Sequence, residues 1–194
     1  KNELGGKEMP RMGDVKWETK NSGSAESRIP ITRIDLGSKV RVRFLADFTD
    51  GIVLWRHENV KRDDGKMTTR LCWRNDEFRT ASNGVCNYCD QGYTRRRVVY
   101  WPVWNYQTQR VELLIGKQSA YSFVETLREY YDSQGTITGN DWVISRKPDT
   151  SRSGNQTVSS YIALPLPSSK FDIEVSVPSY EEIVEQLTPF ELRM

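Results

Sequence analysis

The sequence predicts a mainly β fold, arranged as a small Greek-key barrel or sandwich with few helices. Short stretches of alternating apolar and polar residues recur along the chain, and Gly, Asn and Asp turn signals separate them at hairpin spacing. With 194 residues, the chain makes one domain, or one domain with a subdomain, and it can bury a sizeable core.

The first predicted strand shows the alternation clearly. Val40, Val42 and Phe44 face one side, and Arg41 and Arg43 face the other. The apolar side packs in the core, while the basic side is either a solvated outer face or a surface that contacts phosphates. Strands are predicted at 39–45, 52–56, 98–106, 109–115, 142–147 and 157–164.

Two helices are predicted, one between the strands at 109–115 and 142–147 and one after the last strand. Ser119 is expected to cap a helix that runs to about Tyr131, with Tyr121, Val124, Leu127 and Tyr131 on one stripe. Ser179 and Glu182 form a capping box for a short acidic helix that carries Ile183, Val184 and Leu187. Within the predicted strand at 98–106, Pro102 is expected to mark an edge or a bulge, because proline cannot donate to a ladder.

Composition divides the chain into three parts. Residues 1–30 are rich in Gly, Ser and Pro and are expected to be flexible, 31–170 form the core, and 171–194 form a C-terminal segment with the short helix. No run of eighteen apolar residues and no signal peptide is visible, so we expect a soluble, intracellular protein that does not contact a membrane.

Charge is unevenly distributed along the chain. The formal net charge is only +2, but residues 55–110 carry eleven Lys and Arg against six Asp and Glu. From residue 171 to the end there are six acidic residues and one basic residue. The middle of the chain is therefore the candidate for contact with a polyanion, although a run of charges is more often just a solvated face.

The stretch from His57 to Cys89 contains the one histidine and all three cysteines of the chain. The four residues are His57, Cys72, Cys86 and Cys89, and the last two form a Cys-x-x-Cys pair. Zinc takes four thiolate or imidazole ligands tetrahedrally, and Cys3His is one of its closed structural sets. The stretch therefore predicts a structural site for one zinc ion in a small subdomain at about 55–93.

A hairpin is expected to bring the first two ligands together. Asp64 and Gly65 predict a two-residue type I′ turn, in which Asp63 would pair with Lys66. Counting outward along that ladder places His57 directly opposite Cys72. Residues opposite each other on one face have Cβ atoms about 4.5–5.5 Å apart, which suits two side chains that share a metal.

Other uses of the cysteines remain open at this point. A redox Cys-x-x-Cys usually lies between a strand and a helix, whereas the residues after Cys89 predict a loop. Three cysteines are an odd number for a disulfide framework. A catalytic metal keeps an open coordination position, and no second histidine is present to act as a base.

A basic cluster then leads directly into a run of aromatic residues. Arg95, Arg96 and Arg97 precede Tyr100, Trp101, Trp104 and Tyr106. Single-stranded nucleic acid is bound without sequence choice when cations follow the phosphates and exposed rings stack on the bases, at roughly 1–3 kcal/mol for each stack. Tyr and Trp in β proteins are more often core residues, so each aromatic alone is weak evidence.

The ordered features resemble the single-stranded DNA-binding, helix-destabilising proteins of T-even bacteriophages. The resemblance spans roughly residues 36–165. It is carried by the strand ending Val42-Arg43-Phe44-Leu45, by the order His57, Cys72, Cys86, Cys89, by Arg95-Arg96-Arg97 running into Tyr100-Trp101, by Gly116-Lys117 before a helix, and by the strand led by Trp142.

The resemblance implies an OB-fold-like barrel with an inserted zinc subdomain, and a basic, aromatic cleft for single-stranded DNA between the two. By matching position, it implies DNA contacts at Arg43, Arg96, Arg97, Tyr100 and Trp101. It also implies partner docking by replication or recombination proteins through the C-terminal end, and a location in the cytoplasm of an infected bacterium. A basic arm at residues 1–12 and a long acidic tail, which the family uses, are not visible here.

The prediction is therefore a non-enzymatic, sequence-independent single-stranded DNA-binding protein that acts in replication, recombination and repair. Its DNA-binding residues are expected to be Arg41, Arg43, Arg70, Arg74, Tyr93, Arg95, Arg96, Arg97, Tyr100, Trp101, Trp104 and Tyr106. The alternative is a zinc-ribbon protein-interaction module accessory to transcription or recombination. A metal-dependent nuclease has little support, because the acidic pairs lie in a predicted turn and a predicted loop.

Overall fold

The computed structural model describes residues 28–76, 82–117, 122–149, 158–167 and 170–188. Among them, seven strands form one antiparallel sheet: β1 (Lys39–Phe44), β2 (Ile52–Lys61), β3 (Met67–Leu71), β4 (Arg95–Asn105), β5 (Arg110–Lys117), β6 (Asp141–Asp149) and β7 (Val158–Pro165). The helices are α1 (Asn87–Asp90), α2 (Phe123–Gln134) and α3 (Tyr180–Leu187), with a 3-10 turn at Phe48–Asp50. The predicted mainly β fold is confirmed, and its topology is compatible with an OB-fold-like barrel.

Strand β4 is the centre of the sheet. The order is β3-β2-β4-β1-β6-β7, and β5 pairs with the other edge of β4. The first half of β4 pairs with β2 and its last residues pair with β1, so β4 joins the β2–β3 hairpin to the rest of the sheet.

Pro102 lies in the middle of β4, and the expected edge or bulge is not found there. Its partner across β5 is Leu113, whose backbone N–H and C=O bond instead to Pro30 and Thr32. The nitrogen of Pro102 therefore points to the other edge of β4, at the position where β4 passes from β2 to β1. At that junction the Pro102 carbonyl accepts the Leu45 N–H at 3.0 Å, and the missing donor interrupts neither the β1 nor the β2 pairing.

The larger core lies on the inner face of the sheet and is closed by α2. It contains Val40, Val42 and Phe44 of β1, as predicted, with Trp101 of β4 and Trp142 of β6 fully buried. Helix α2 contributes Phe123, Val124 and Leu127. The packing of α2 against the sheet thus fixes the positions of the strands and of the side chains on them.

Helix α2 begins later than predicted. It starts at Phe123 with Ser122 as N-cap, whose hydroxyl accepts a hydrogen bond from the Val124 N–H. Ser119 and Tyr121 lie outside the described residues. The helix ends at Gly135, whose φ of 78° is the left-handed conformation typical of a helix end.

A second, smaller core lies on the outer face, under α3. It contains Ile52, Leu54, Val98, Tyr100 and Leu113 of the sheet, and Ile183 and Leu187 of α3. The capping box predicted for this helix is confirmed, because the Ser179 hydroxyl and the Glu182 carboxylate each accept a backbone N–H of the other residue.

The side chain of Gln186 ties α3 to the start of the described chain. Its amide oxygen accepts the Ile29 N–H at 2.6 Å, and its amide nitrogen donates to the Ile29 carbonyl at 2.7 Å. Of the segment predicted to be flexible, residues 1–27 lie outside the described residues, and Ile29 is held by α3. Within the described ranges, no helix is long and apolar enough to cross a membrane.

Candidate metal centre and basic face

Four side chains meet at the base of the β2–β3 hairpin. One ligand atom from each of His57, Cys72, Cys86 and Cys89 lies within 4.8 Å of all the others. The Sγ atoms of Cys72 and Cys89 are 3.6 Å apart, and His57 Nε2 is 3.5 Å from Cys86 Sγ and 3.6 Å from Cys89 Sγ. All three thiols are free, and only Cys89 is partly accessible. The cluster can hold a metal ion.

The expected pairing of His57 with Cys72 is wrong. His57 lies opposite Arg70, and the register shifts between His57 and Val60, where Asn59 takes a φ of 55°. The turn is also longer than two residues, because the Arg62 N–H bonds to the Lys66 carbonyl. Cys72 instead lies just beyond β3.

Short-range geometry brings the cysteines to the histidine. The Cys72 N–H bonds to the Trp55 carbonyl at 2.9 Å, so Cys72 stays beside β2 after β3 ends. Cys86 is the N-cap of α1 and Cys89 lies in its single turn. The Asp90 and Gly92 N–H groups bond back to the Cys86 and Cys89 carbonyls, which folds the pair tightly around one point.

The imidazole of His57 is prepared for metal ligation. Its Nδ1–H donates to the Tyr93 carbonyl at 3.0 Å, which leaves the Nε2 lone pair facing the thiols. Burial lowers the pKa of His57 below its usual value, and the nearby Arg95 charge acts in the same direction. A neutral imidazole is the form that binds a metal.

The thiols respond differently to their surroundings. Burial opposes ionisation of Cys86, but the backbone N–H groups of Cys89, Trp73 and Tyr88 together hold the pKa of Cys86 below its usual value. Burial and the adjacent thiol of Cys72 raise the pKa of Cys89 to about 12. A bound cation would reverse this effect, because it makes the charged thiolate the favoured form.

Aromatic rings surround the cluster. The ring centroid of Tyr88 is 5.7 Å from that of His57, and Tyr88 also packs edge-on against Trp73 and Tyr93. The Tyr93 hydroxyl accepts the Lys61 N–H at 3.3 Å. Tyr93, which the sequence placed among DNA contacts, is thus half-buried within the frame of the metal centre.

An exposed basic face begins directly beside this centre. Arg95 is paired with His57 across the ladder and Arg97 with Trp55. Side chains of residues directly opposite each other share a face, so Arg95, Arg97 and Trp55 project together. We call these three residues the basic face. Trp55 was not predicted as a site residue. A prediction that β2 pairs with β4 would have placed Trp55 opposite Arg97 and so identified it.

Arg96 lies on the opposite side of the sheet, because side chains alternate along a strand. Its Nε is 2.7 Å from Glu58, which also binds Lys117 at 2.8 Å and Arg56 at 3.5 Å. Burial opposes the charge on Glu58, but these three cations outweigh it and lower the pKa of Glu58. Arg96 is therefore held by a carboxylate and is not part of the basic face.

The predicted contacts at Arg41, Arg43 and Tyr106 gather around one buried acid. Asp141 has no exposed surface, and its carboxylate accepts from Arg41 Nε at 3.1 Å, Arg43 Nε at 2.8 Å and the Tyr106 hydroxyl at 2.7 Å. Hydrogen bonding to Asp141 raises the pKa of Arg41. Burial and the same carboxylate raise the pKa of Tyr106.

Phe171 covers this second group. Its ring lies under the Arg43 guanidinium, 4.8 Å from Cζ to centroid, and packs edge-on against Trp104. The side chain of Arg43 is only 6% exposed. Arg43, a predicted DNA contact, is therefore buried and has its charge paired. Trp104 is half-buried by the same ring.

Trp101 and Tyr100, two of the residues predicted to stack on bases, are both buried. Trp101 has no exposed surface and lies between two close glycines, since a Cβ at Gly51 would be 2.4 Å from its Nε1 and one at Gly116 would be 2.8 Å from its Cζ3. Tyr100 is 4% exposed and packs in the outer core. Alternation along β4 placed both rings in cores, one on each side of the sheet.

The remaining predicted residues flank the metal centre. Arg70 is exposed on β3, opposite His57. Arg74 is exposed and pairs with Asp90 of α1 at 2.8 Å. The twelve predicted DNA contacts are thus divided among the metal-centre side, the Asp141 group and the two cores, and do not line a single cleft.

No family model, curated protein or solved structure that was compared with this chain matches it. The resemblance to the phage proteins stays a prediction.

Proposed function

We propose that this chain binds single-stranded DNA without sequence choice, in DNA replication, recombination and repair, and that it holds one structural zinc ion. The observation that supports DNA binding is the basic face: two exposed guanidinium groups beside an exposed indole, next to a rigid metal centre. Cations for phosphates and a ring for a base are the two elements that single-strand binding needs.

The free charge of Arg95 and Arg97 supports contact with a polyanion. Among the described residues, no carboxylate pairs with either side chain, whereas Arg96 and Arg74 are each neutralised by an acid. A phosphate could bind Arg95 or Arg97 without breaking an existing ion pair. Release of counterions from the phosphates would then contribute to affinity.

The donor set and its spacing support zinc. Bond lengths of about 2.3 Å to sulfur and 2.0–2.1 Å to nitrogen place the corners of a zinc tetrahedron roughly 3.5–3.8 Å apart. The three measured separations are 3.5–3.6 Å. Magnesium and calcium take oxygen ligands instead. When bound, zinc would join α1 to the β2–β3 hairpin and supply no reaction step.

A binding titration tests the proposal. We would measure the fluorescence anisotropy of labelled oligo(dT), oligo(U) and a duplex of equal length with the zinc-loaded protein, at low and moderate salt. The proposal expects tight binding to oligo(dT), weaker binding to duplex, and a steep loss of affinity as salt increases. Equal affinity for duplex, or no binding to oligo(dT), would reject it and favour a protein-interaction module.

A further inference from the structure

Trp55 is the most accessible of the five tryptophans that the structure describes. It is 39% exposed, whereas Trp101 and Trp142 are fully buried and Trp73 and Trp104 are half-buried. A single exposed apolar side chain is ordinary on a protein surface, so the feature that distinguishes Trp55 is the pair of cations beside it. None of the aromatic residues expected from sequence to stack on bases is as open as Trp55.

Cations flank this indole. The Arg95 guanidinium lies over the ring, with Cζ 4.8 Å from the centroid. Arg97 lies directly across the ladder from Trp55. Residues two positions apart on a strand are separated by about 6.6–6.8 Å, which is close to the spacing of successive phosphates on an extended single strand. Arg95 and Arg97 can therefore contact neighbouring phosphates on either side of one base.

The backbone of Trp55 is rigidly held. Its N–H donates to Asn75 Oδ1 at 2.7 Å, and its carbonyl accepts from Asn75 Nδ2 at 3.0 Å. The same carbonyl accepts the N–H of Cys72, a residue of the His/Cys cluster, at 2.9 Å. A ring whose position is already fixed loses little conformational entropy when a ligand binds. Stacking on Trp55 therefore contributes more to the binding free energy than stacking on a mobile ring would.

We propose that Trp55 is the base-stacking residue of this protein, and that Arg95 and Arg97 bind the phosphates that flank the stacked base. The subsite selects unpaired nucleotides, because a duplex hides the faces of its bases within the stack. This inference rests on the proposed function and adds to it the residue that distinguishes single strands from duplexes. Trp101, Tyr100 and Trp104 have no stacking role in it.

Two variants and one matched control test the inference. Trp55→Ala removes the ring, Trp55→Phe keeps a ring that can stack, and Tyr180→Ala removes the other exposed aromatic of the described chain. We expect Trp55→Ala to weaken oligo(dT) binding roughly 5- to 150-fold, the equivalent of one base–ring stack. Trp55→Phe should stay within about threefold of the wild type, and Tyr180→Ala should not change affinity.

Intrinsic fluorescence gives a second readout of the same variants. Oligo(dT) should quench the wild type, and Trp55→Phe should bind with most of that quenching lost, since the buried tryptophans do not meet the base. This result decides the matter even if Trp55→Ala fails to fold.

The outcomes separate the inference from the proposed function. If the wild type binds oligo(dT) but Trp55→Ala binds equally well, or if Trp55→Phe is quenched like the wild type, the stacking role of Trp55 is wrong and single-strand binding stands. If the wild type binds no single strand, both the proposed function and the stacking role of Trp55 are wrong.

Discussion

The side-chain amide of Asn75 holds the backbone of Trp55 beside that of Cys72. Asn75 is 3% exposed, and besides its two bonds to Trp55 it donates to the Cys72 carbonyl at 2.6 Å. One buried amide thus links Cys72 of the His/Cys cluster to the exposed indole of the basic face. Loss of this link should affect both the stability of the hairpin and the position of the ring.

Asn75→Ala should lower the free energy of unfolding by about 2–4 kcal/mol, because it leaves the Trp55 N–H without a partner and removes one of the bonds to each of the Trp55 and Cys72 carbonyls. Chemical denaturation measures this change, and acrylamide quenching should show a more accessible, less ordered tryptophan. Asn87→Ala is the matched control, since Asn87 is an exposed residue of α1. Equal effects of the two substitutions would contradict the link.

Removal of the metal should destabilise the protein. If zinc contributes only about 3 kcal/mol, a strong chelator should lower Tm by about 6–12 °C in a chain of this size. Cys86→Ser should lower Tm similarly without a chelator, because Cys86 is buried within the cluster. Thermal melting with parallel metal analysis measures both. A Tm that does not change with chelation would show that the cluster carries no structural ion.

Trp101→Ala should destabilise the fold by about 3–5 kcal/mol, because it opens a large cavity between Gly51, Gly116 and the inner core. Urea denaturation measures the loss. Oligo(dT) affinity, measured where the variant is still folded, should stay close to that of the wild type. A strong loss of affinity with unchanged stability would mean that the ring is accessible after all.

Glu112 should give the protein part of its sensitivity to acid. Burial opposes its charge, but hydrogen bonds from Asn105, Thr108, Arg110 and Thr32 outweigh burial and hold the pKa of Glu112 below its ordinary value of 4.5. As the pH falls below 4.5, Glu112 therefore takes up a proton in the unfolded chain before it does so in the folded protein. The stability that Glu112 contributes is complete above that pH and is lost as the pH falls through its folded pKa.

Glu112→Gln should cost about 1–3 kcal/mol at neutral pH, since an amide cannot accept all of these bonds. The difference from the wild type should shrink as the pH falls below 4.5. Denaturation at a series of pH values measures it, with Glu125→Gln on the exposed side of α2 as control. A difference that is constant with pH would mean that Glu112 does not carry a charge in the folded state.

Local signals in the sequence predicted much of this structure. The ligand set follows from composition alone, because His57, Cys72, Cys86 and Cys89 are the only histidine and the only cysteines of the chain. The capping box at Ser179 and the alternation in β1 depend on neighbours within a few residues, so they too were predicted correctly.

Features that depend on distant contacts were not predictable in this way. The burial of Trp101 depends on Gly116 of β5 and on Gly51, which lies just before β2, both meeting its ring. Phe171 reaches Arg43 from a segment more than a hundred residues away. The shift at Asn59 moved the partner of His57 by two positions, and no residue pattern in the hairpin indicated it.

The salt dependence of oligo(dT) binding tests the central claim most directly. Each phosphate contact to a single strand contributes about −0.7 to the slope of log K against log salt. The double variant Arg95→Gln/Arg97→Gln should therefore bind more weakly, with a slope shallower by about 1.4. Lys39→Gln/Lys147→Gln is the charge-matched control, because both lysines are exposed and neither is in an ion pair among the described residues. Lys39 lies three residues before Val42, which pairs with Asn105 at the end of β4 opposite to Arg95. An unchanged slope in the double variant, or an equal change in the control, would contradict a DNA-binding role for the basic face.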